Sequence, residues 1–279
     1  MDVVDGRLSL AEVTDDGGDV VYSQAGIALP RQARQQPRAM GERSQRTAGE
    51  PVRYSVRAFT ARTATQVNAT QATLEEAYRL RARVFMRELG WLTPSADGRE
   101  YDRCDPLARH FAVFAHAPDA ARQSLQDAPL IGYARVLLPR QGFMLQHEFV
   151  ELMPEHTGRP LPDARHAFEV SRFVVHPLHR GRRCVEGYTA TDHLARAIAQ
   201  WALADGRTDW WTVCEARHLR ALRLRGLRFT QVGRIVEYQP GIEACAALLR
   251  LPVAADELRQ RRADDYAWYA QGRPPEGGA

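Results

Sequence analysis

Apolar positions along this chain switch between a two-residue and a helical repeat. From Tyr54 to Phe59 apolar and polar residues alternate, which predicts a strand, and from Leu74 to Leu89 apolar residues recur at helical spacing, which predicts a helix. Phe111 to Ala117 and Leu130 to Leu138 predict two consecutive strands, the second ended by Pro139. Phe168 to Val175 predicts a buried strand with Pro177 at its exit, and Tyr188 to Ala204 a helix stopped by Asp205-Gly206. Trp210 to Val213 then predicts a strand, Ala216 to Arg225 a helix capped by Gly226, and Phe229 to Tyr238 another strand. Strand, helix, strand, helix, strand is the succession of an α/β sandwich. Glu257 to Tyr269 predicts a charged helix, and Pro274-Pro275-Glu276-Gly277-Gly278 a disordered end.

Before Tyr54 the pattern fails. Residues 1 to 50 pass from an acidic start to an arginine-rich stretch, Arg31 to Arg46, with little sustained periodicity, and predict a poorly ordered extension. The organisation expected is therefore this extension, one domain over 51–255, and a charged helix with a flexible tail over 256–279. A chain of 279 residues, 44% hydrophobic and 26% charged, suits one sizeable core plus tails.

Charge narrows the chemistry more than size does. The formal net charge is only +4, but all 38 basic residues are arginine. The lack of lysine excludes a Walker-type phosphate loop, a pyridoxal-phosphate Schiff base and any catalytic lysine amine. The basic residues are spread among acids and apolar strands, with no nucleic-acid-binding motif, so no nucleic acid is expected as partner. Cys104, Cys184, Cys214 and Cys245 form no C-x-x-C pair and predict reduced, mostly buried thiols. An acidic rather than basic-then-apolar start, and the lack of any run of 18 apolar residues, lead to the expectation of a cytoplasmic protein without a membrane partner.

Several constellations carry possible chemistry. Arg81 and Phe85 lie one helical turn apart, with Trp91 just past Gly90; the aromatics suit either core packing or the wall of a pocket for a sulfonium-bearing ligand. Glu100, Asp102 and Asp105 put three carboxylates inside six residues, in a loop that is either solvated or holds ammonium and hydroxyl groups. Arg135 sits in an otherwise apolar strand and needs an acidic partner or a ligand. In Phe168–Val175, strict alternation puts Glu169, Ser171 and Phe173 on one face and Arg172 with Val170 on the other. Glu169 reads either as half of a structural salt bridge or as a proton acceptor in a cleft. His176 and His179 are three apart but lack thiol and carboxylate companions, so no metal site is expected there, and the segment better suits phosphate.

Taken in order, Arg81, Phe85, Trp91, Asp102, Asp105, Arg135, Phe149, Glu169 and Arg172 resemble the pattern of the LuxI-type acyl-homoserine-lactone synthases over roughly Tyr54 to Pro252. The resemblance implies a GNAT-like three-layer α/β sandwich with a mixed, centrally splayed β-sheet. It implies an acyltransferase joining an acyl chain to the amine of S-adenosylmethionine, a substrate rather than a cofactor, then closing a lactone with loss of methylthioadenosine to make a quorum-sensing signal. Arg81, Phe85, Trp91, Asp102, Asp105 and Arg135 would shape the S-adenosylmethionine side, Glu169 and Arg172 the catalytic centre, and Phe149, Ser171 and Thr212 the acyl pocket. Thr212 falls where relatives favouring 3-oxoacyl chains often carry threonine, though it is equally an ordinary β-branched strand residue. The loop after Val175 resembles the GNAT pyrophosphate loop but has Arg183 and Val185 where small residues are usual, which favours acyl carrier protein over acyl-CoA. Arg180, Arg182, Arg183, Arg217 and Arg220 would then meet the acidic carrier protein or its phosphopantetheine. The alternatives are an acyl-CoA-dependent synthase of the same family or another GNAT-like N-acyltransferase. About fifty additional N-terminal residues and a longer C-terminus depart from the family pattern.

Overall fold

Seven strands, β1 (Arg53–Thr60), β2 (Arg109–His116), β3 (Leu130–Leu137), β4 (Ala167–Val175), β5 (Asp209–Glu215), β6 (Thr230–Gln239) and β7 (Ile242–Arg250), form one sheet in the order β1-β2-β3-β4-β5-β7-β6. The computed structural model describes residues 52–61, 67–117, 128–153 and 165–271. The extension over 1–50 and the Pro274–Gly278 tail lie outside them. Only β4 and β5 are parallel; every other neighbouring pair is antiparallel.

Helix α1 (Val67–Arg81) covers one face and α2 (Ala190–Ala204) the other. Tyr54 meets His193 of α2, whereas Arg57, at the opposite parity of the same strand, reaches Thr73 of α1. On the α2 side, Trp201 meets Phe111 and Phe168 edge to face. The result is the expected mixed sheet between helical layers. α2 starts where Thr189 accepts the Asp192 amide and Asp192 accepts the Thr189 amide, a reciprocal cap. The short α3 (His218–Leu224) ends at Gly226, whose φ of +87° favours glycine, and an added Cβ would lie 2.8 Å from the end of the Leu258 side chain, which would have to shift.

Two irregularities open the centre of the sheet. β4 and β5 pair only from Ala167 opposite Asp209 to Val170 opposite Thr212; beyond that β4 runs on to Val175 and β5 to Glu215 without pairing to each other. Between β3 and β4 the register jumps from Tyr133 opposite Val174 to Arg135 opposite Ser171, so β4 carries one extra residue. That bulge centres on Arg172, the one non-glycine residue with positive φ (+55°) among those described.

The chain departs from its sequence pattern in three places. The helix expected over Leu74–Leu89 is α1 followed by a π-helical segment, Ala82–Glu88. β7, which the pattern did not single out, inserts between β5 and β6. The single charged helix expected over Glu257–Tyr269 is two, α4 (Leu251–Arg261) and α5 (Ala263–Gln271). α5 is bound to the domain by Trp268, fully buried and stacked on Tyr188 with centroids 3.7 Å apart. Trp268→Ala is expected to cost about 3 kcal/mol or more, read as a lower denaturant midpoint at unchanged slope. A loss below about 1 kcal/mol would mean that this contact adds nothing to the core. No helix among the described residues is long and apolar enough to cross a membrane.

Candidate active site

Where β4 and β5 part, a cavity of about 270 Å³ opens, lined by Glu169, Ser171 and Arg172 from β4 and by Val213, Cys214 and Glu215 from β5. Phe85, Trp91 and Leu92 close one side, Met144, Glu148 and Phe149 another, and Tyr238, Ile242 and Ala244 a third. The π-helical segment brings its aromatic wall together. There the Trp91 amide reaches the Phe85 carbonyl (2.8 Å), and the two rings stack with centroids 5.8 Å apart. Arg172 lies over Phe85 at 5.8 Å.

Behind this cleft stands a closed ring of charge. Arg81 binds Glu100 (2.5 Å) and Asp105 (2.6 Å); Arg135 binds Asp105 (3.0 Å) and Asp102 (2.5 Å); Arg172 binds Asp102 (2.9 Å) and Glu100 (3.0 Å). Three arginines and three carboxylates thus alternate with zero net charge. Arg81 and Arg135 are wholly buried, whereas the Arg172 side chain is 16% exposed and the Asp102 side chain 24%. Burial pushes Glu100 and Asp105 upward, but the adjacent guanidiniums more than reverse it and hold both below the ordinary carboxylate range. Asp102 is lowered likewise, with Arg135 the chief partner opposing its burial.

The bulge makes the ring possible. Unbroken alternation would turn Arg172 to the opposite face from Ser171, as its sequence position suggests, yet Arg172 joins Glu100 and Asp102 while Ser171 accepts from Arg135 Nε at 3.0 Å. The extra residue and its left-handed φ, a conformation costing about 1 kcal/mol or more for a side-chain-bearing residue, bring Arg172 round to the cleft.

Among the described residues Glu169 belongs to no ion pair. It is 1% exposed, its Oε2 has no hydrogen-bond partner among the described residues, and burial raises its carboxyl to about 8, against a smaller pull from the Met144 and Leu145 amides. A carboxyl so placed exchanges its proton near neutral pH.

The sequence model of the family described as autoinducer synthase matches residues 65–261, more than half of the chain. The chain belongs to the autoinducer synthase family. Among curated relatives it is 30% identical to an acyl-homoserine-lactone synthase of Rhizobium radiobacter over 164 residues, 58% of this chain and 72% of that one. It is 28% identical to one of Ralstonia nicotianae, over 56% of this chain and 71% of the relative. Among solved structures, the synthase LasI aligns over 80% of this chain and 96% of its own (TM-score 0.53, 21% identity). The CoA-dependent synthase BjaI aligns over 75% and 89% (TM-score 0.56, 22% identity). At these identities the solved structures establish the GNAT-like fold; the family match makes the chain an acyltransferase of the kind that produces quorum-sensing signals.

Within this autoinducer synthase the expected residues divide. Phe85, Trp91, Phe149, Glu169, Ser171 and Arg172 line the cleft; Arg81, Asp105 and Arg135 are buried behind it, with Asp102 between. Thr212 is buried at the last parallel pair, its hydroxyl donating to the Val170 carbonyl at 3.0 Å, and does not line the cavity. Of the arginines expected to meet a carrier, Arg180 pairs with Glu88, Arg217 with Glu215, and Arg183 donates to the Gly187 carbonyl. Arg182 gives its carbonyl to the Tyr54 hydroxyl, and Arg220 is exposed on α3. In the loop after β4, the amides of His179, Arg180, Arg182, Cys184 and Val185 all donate to backbone carbonyls. The sequence reading grouped Glu100 with the acidic loop but assigned it no site role, although it bridges Arg81 and Arg172; the signal was three acids matched by three arginines placed in or beside apolar elements. It also missed Glu148, Glu215 and Tyr238 on the cleft wall.

Proposed function

We propose that this chain transfers an acyl group from acyl carrier protein to the amine of S-adenosylmethionine and then closes the homoserine lactone. The observation that carries this reading is Glu169: a carboxyl with an unpartnered oxygen, poised near neutrality, in an apolar cleft beside a charge-neutral ring. Its proton affinity suits an α-ammonium, whose ordinary pKa is about 8. Glu169 takes one ammonium proton, directly or through water; the freed amine nitrogen bonds to the thioester carbonyl carbon, the carbon–sulfur bond breaks, and the carrier thiol leaves with a proton. The methionyl carboxylate then bonds to its own γ-carbon as the carbon–sulfonium bond breaks. Methylthioadenosine departs neutral. The sulfonium is already a good leaving group, so holding the chain folded suffices for the second step.

Phe85 and Trp91 supply aromatic faces that attract a sulfonium. Arg172, whose Nη1 has no partner among the described residues, supplies positive charge for the methionyl carboxylate. Arg81, Glu100, Asp105 and Arg135 position that wall from behind. Phe149 and Tyr238, with ring centroids 5.1 Å apart, offer an apolar seat for the acyl chain.

Support for a protein-borne thioester comes from the loop after β4. With five of its amides already donating to backbone carbonyls and Asp192 seated at the start of α2, it has fewer backbone donors for a diphosphate than an open glycine-rich loop would. BjaI, by contrast, is named as CoA-dependent and was solved with SAM and isopentyl-CoA. The test is kcat/KM with one acyl chain presented on either carrier. At least a tenfold preference for acyl carrier protein is expected; equal or better use of acyl-CoA would overturn the donor assignment.

A further inference from the structure

On the far side of β1 from the charge ring, Cys184, Glu186 and His193 bring three different donor atoms together, all within 4.8 Å of one another. Cys184 Sγ is 3.3 Å from His193 Nε2, and Glu186 Oε2 is 3.7 Å from that same nitrogen. The loop is held in shape for this. The Cys184 amide donates to the Tyr188 carbonyl, the Gly187 amide to the Cys184 carbonyl, and Arg183 bridges to Thr189, one turn before His193 on α2. Cys184 is 7% exposed and His193 6%, walled by Tyr54, whose ring centroid is 5.5 Å from that of His193, and by Trp268 at 5.0 Å. The Glu186 side chain, 39% exposed, forms the open side.

The geometry distinguishes two uses of such a trio. In a nucleophilic cysteine–histidine pair, the carboxylate orients the imidazole through the nitrogen that the thiol does not use. Here thiol and carboxylate both converge on Nε2, which has one position to offer a partner. A cation between them satisfies all three donors at once. Tetrahedral zinc, with a sulfur ligand at about 2.3 Å and a nitrogen or oxygen ligand at about 2.0 Å, sets sulfur and nitrogen about 3.5 Å apart and nitrogen and oxygen about 3.3 Å. The observed 3.3 Å from sulfur to nitrogen and 3.7 Å from nitrogen to oxygen lie within about 0.4 Å of those values.

We propose that Cys184, Glu186 and His193 bind a zinc-class divalent cation, with water in the fourth position on the side where Glu186 is exposed. Thiolate and imidazole select zinc or cobalt over magnesium and calcium, which take oxygen ligands. On binding, the Cys184 thiol gives its proton to solvent and His193 coordinates as neutral imidazole. Thiolate and carboxylate then neutralise the dication, which leaves the site without net charge beside Arg196, 4.8 Å over the Trp268 ring. The cation would act as a fastener for the C-terminal segment. It joins the 184–187 loop to α2, and Glu186 in turn accepts from Trp268 Nε1 of α5 at 3.2 Å.

The experiment uses the full chain stripped with a chelator and titrated with Co²⁺ alone, followed by absorption. Expected are a thiolate-to-cobalt charge-transfer band and the visible bands of tetrahedral cobalt, saturating at one equivalent and displaced by Zn²⁺. Cys184→Ser should abolish the charge-transfer band, Glu186→Gln should weaken Co²⁺ binding at least tenfold, and Cys104→Ser should leave it intact. Added Zn²⁺ should raise the Tm of the unmodified chain but not of Cys184→Ser. Absence of a stoichiometric thiolate band, or its persistence in folded Cys184→Ser, would overturn the site. None of these readouts depends on acyl transfer.

Discussion

Glu169→Gln is expected to lower the rate of amide formation at least a hundredfold, the lower end of what a positioned general base contributes, while leaving the fold intact. The amide fills the same space but cannot take a proton. The same variant should be more stable than the parent at alkaline pH. Because the folded-state carboxyl titrates at about 8 rather than 4.5, the native chain binds more protons than the unfolded chain between those values, so the Glu169 contribution to stability falls as pH rises through that window. Glutamine has no such term. The Tm difference, variant minus parent, should therefore grow from pH 5 to pH 9, and a constant difference would show that Glu169 is not held as a buried acid. Retention of more than about a tenth of the parental rate would remove it from the mechanism.

Asp105→Asn should be the most damaging conservative change behind the cleft, costing about 3–5 kcal/mol. Asp105 is 2% exposed and serves both Arg81 and Arg135, so its loss leaves three guanidiniums, two of them wholly buried, sharing two carboxylates. Asp102→Asn should cost less, because the Asp102 side chain is 24% exposed and water can replace part of what it gives. The ring also sets the acid limit. Glu100, Asp102 and Asp105 all titrate lower in the folded chain than their ordinary values of 3.8 to 4.5, so their contribution is present above that range and is lost as pH falls below it. Denaturant midpoints of parent and Asp105→Asn at pH 7 and pH 3.5 would check this. The gap should narrow at the lower pH; a loss under about 1 kcal/mol at pH 7 would mean that the ring is not a structural unit.

The sheet was legible wherever apolar periodicity stood alone. Phe168–Val175 and Trp210–Val213 were placed as strands with a helix between them, enough for an α/β sandwich; that the two pair in parallel at the centre comes from the structure. β7 was not, because its central run, Ala244 to Leu249, is buried without polar alternation and so carries no period. The bulge at Arg172 was illegible for a different reason: a strand pattern assumes one residue per step, and an arginine gives no sign that it will adopt a φ of +55°.

Among the site residues, type was more legible than role. A buried arginine in β3 demanded an acid, and Asp102 and Asp105 supplied it, but that they would saturate each other's charge depends on a loop whose path no spacing encodes. Glu169 was singled out because a carboxylate is costly in an apolar strand, and its lack of an ion-pair partner among the described residues is what the structure adds. Cys184, Glu186 and His193 escaped notice because the ligand spacing is irregular and the third donor comes from the following helix.

The central claim, that the amine of S-adenosylmethionine is acylated and the same molecule then lactonises, is tested most directly by product stoichiometry. Purified chain supplied with S-adenosylmethionine and acyl carrier protein bearing a single acyl chain should release acyl-homoserine lactone and methylthioadenosine in a one-to-one ratio by mass spectrometry. An acylated product formed without methylthioadenosine, from S-adenosylmethionine or from another amine, would contradict it.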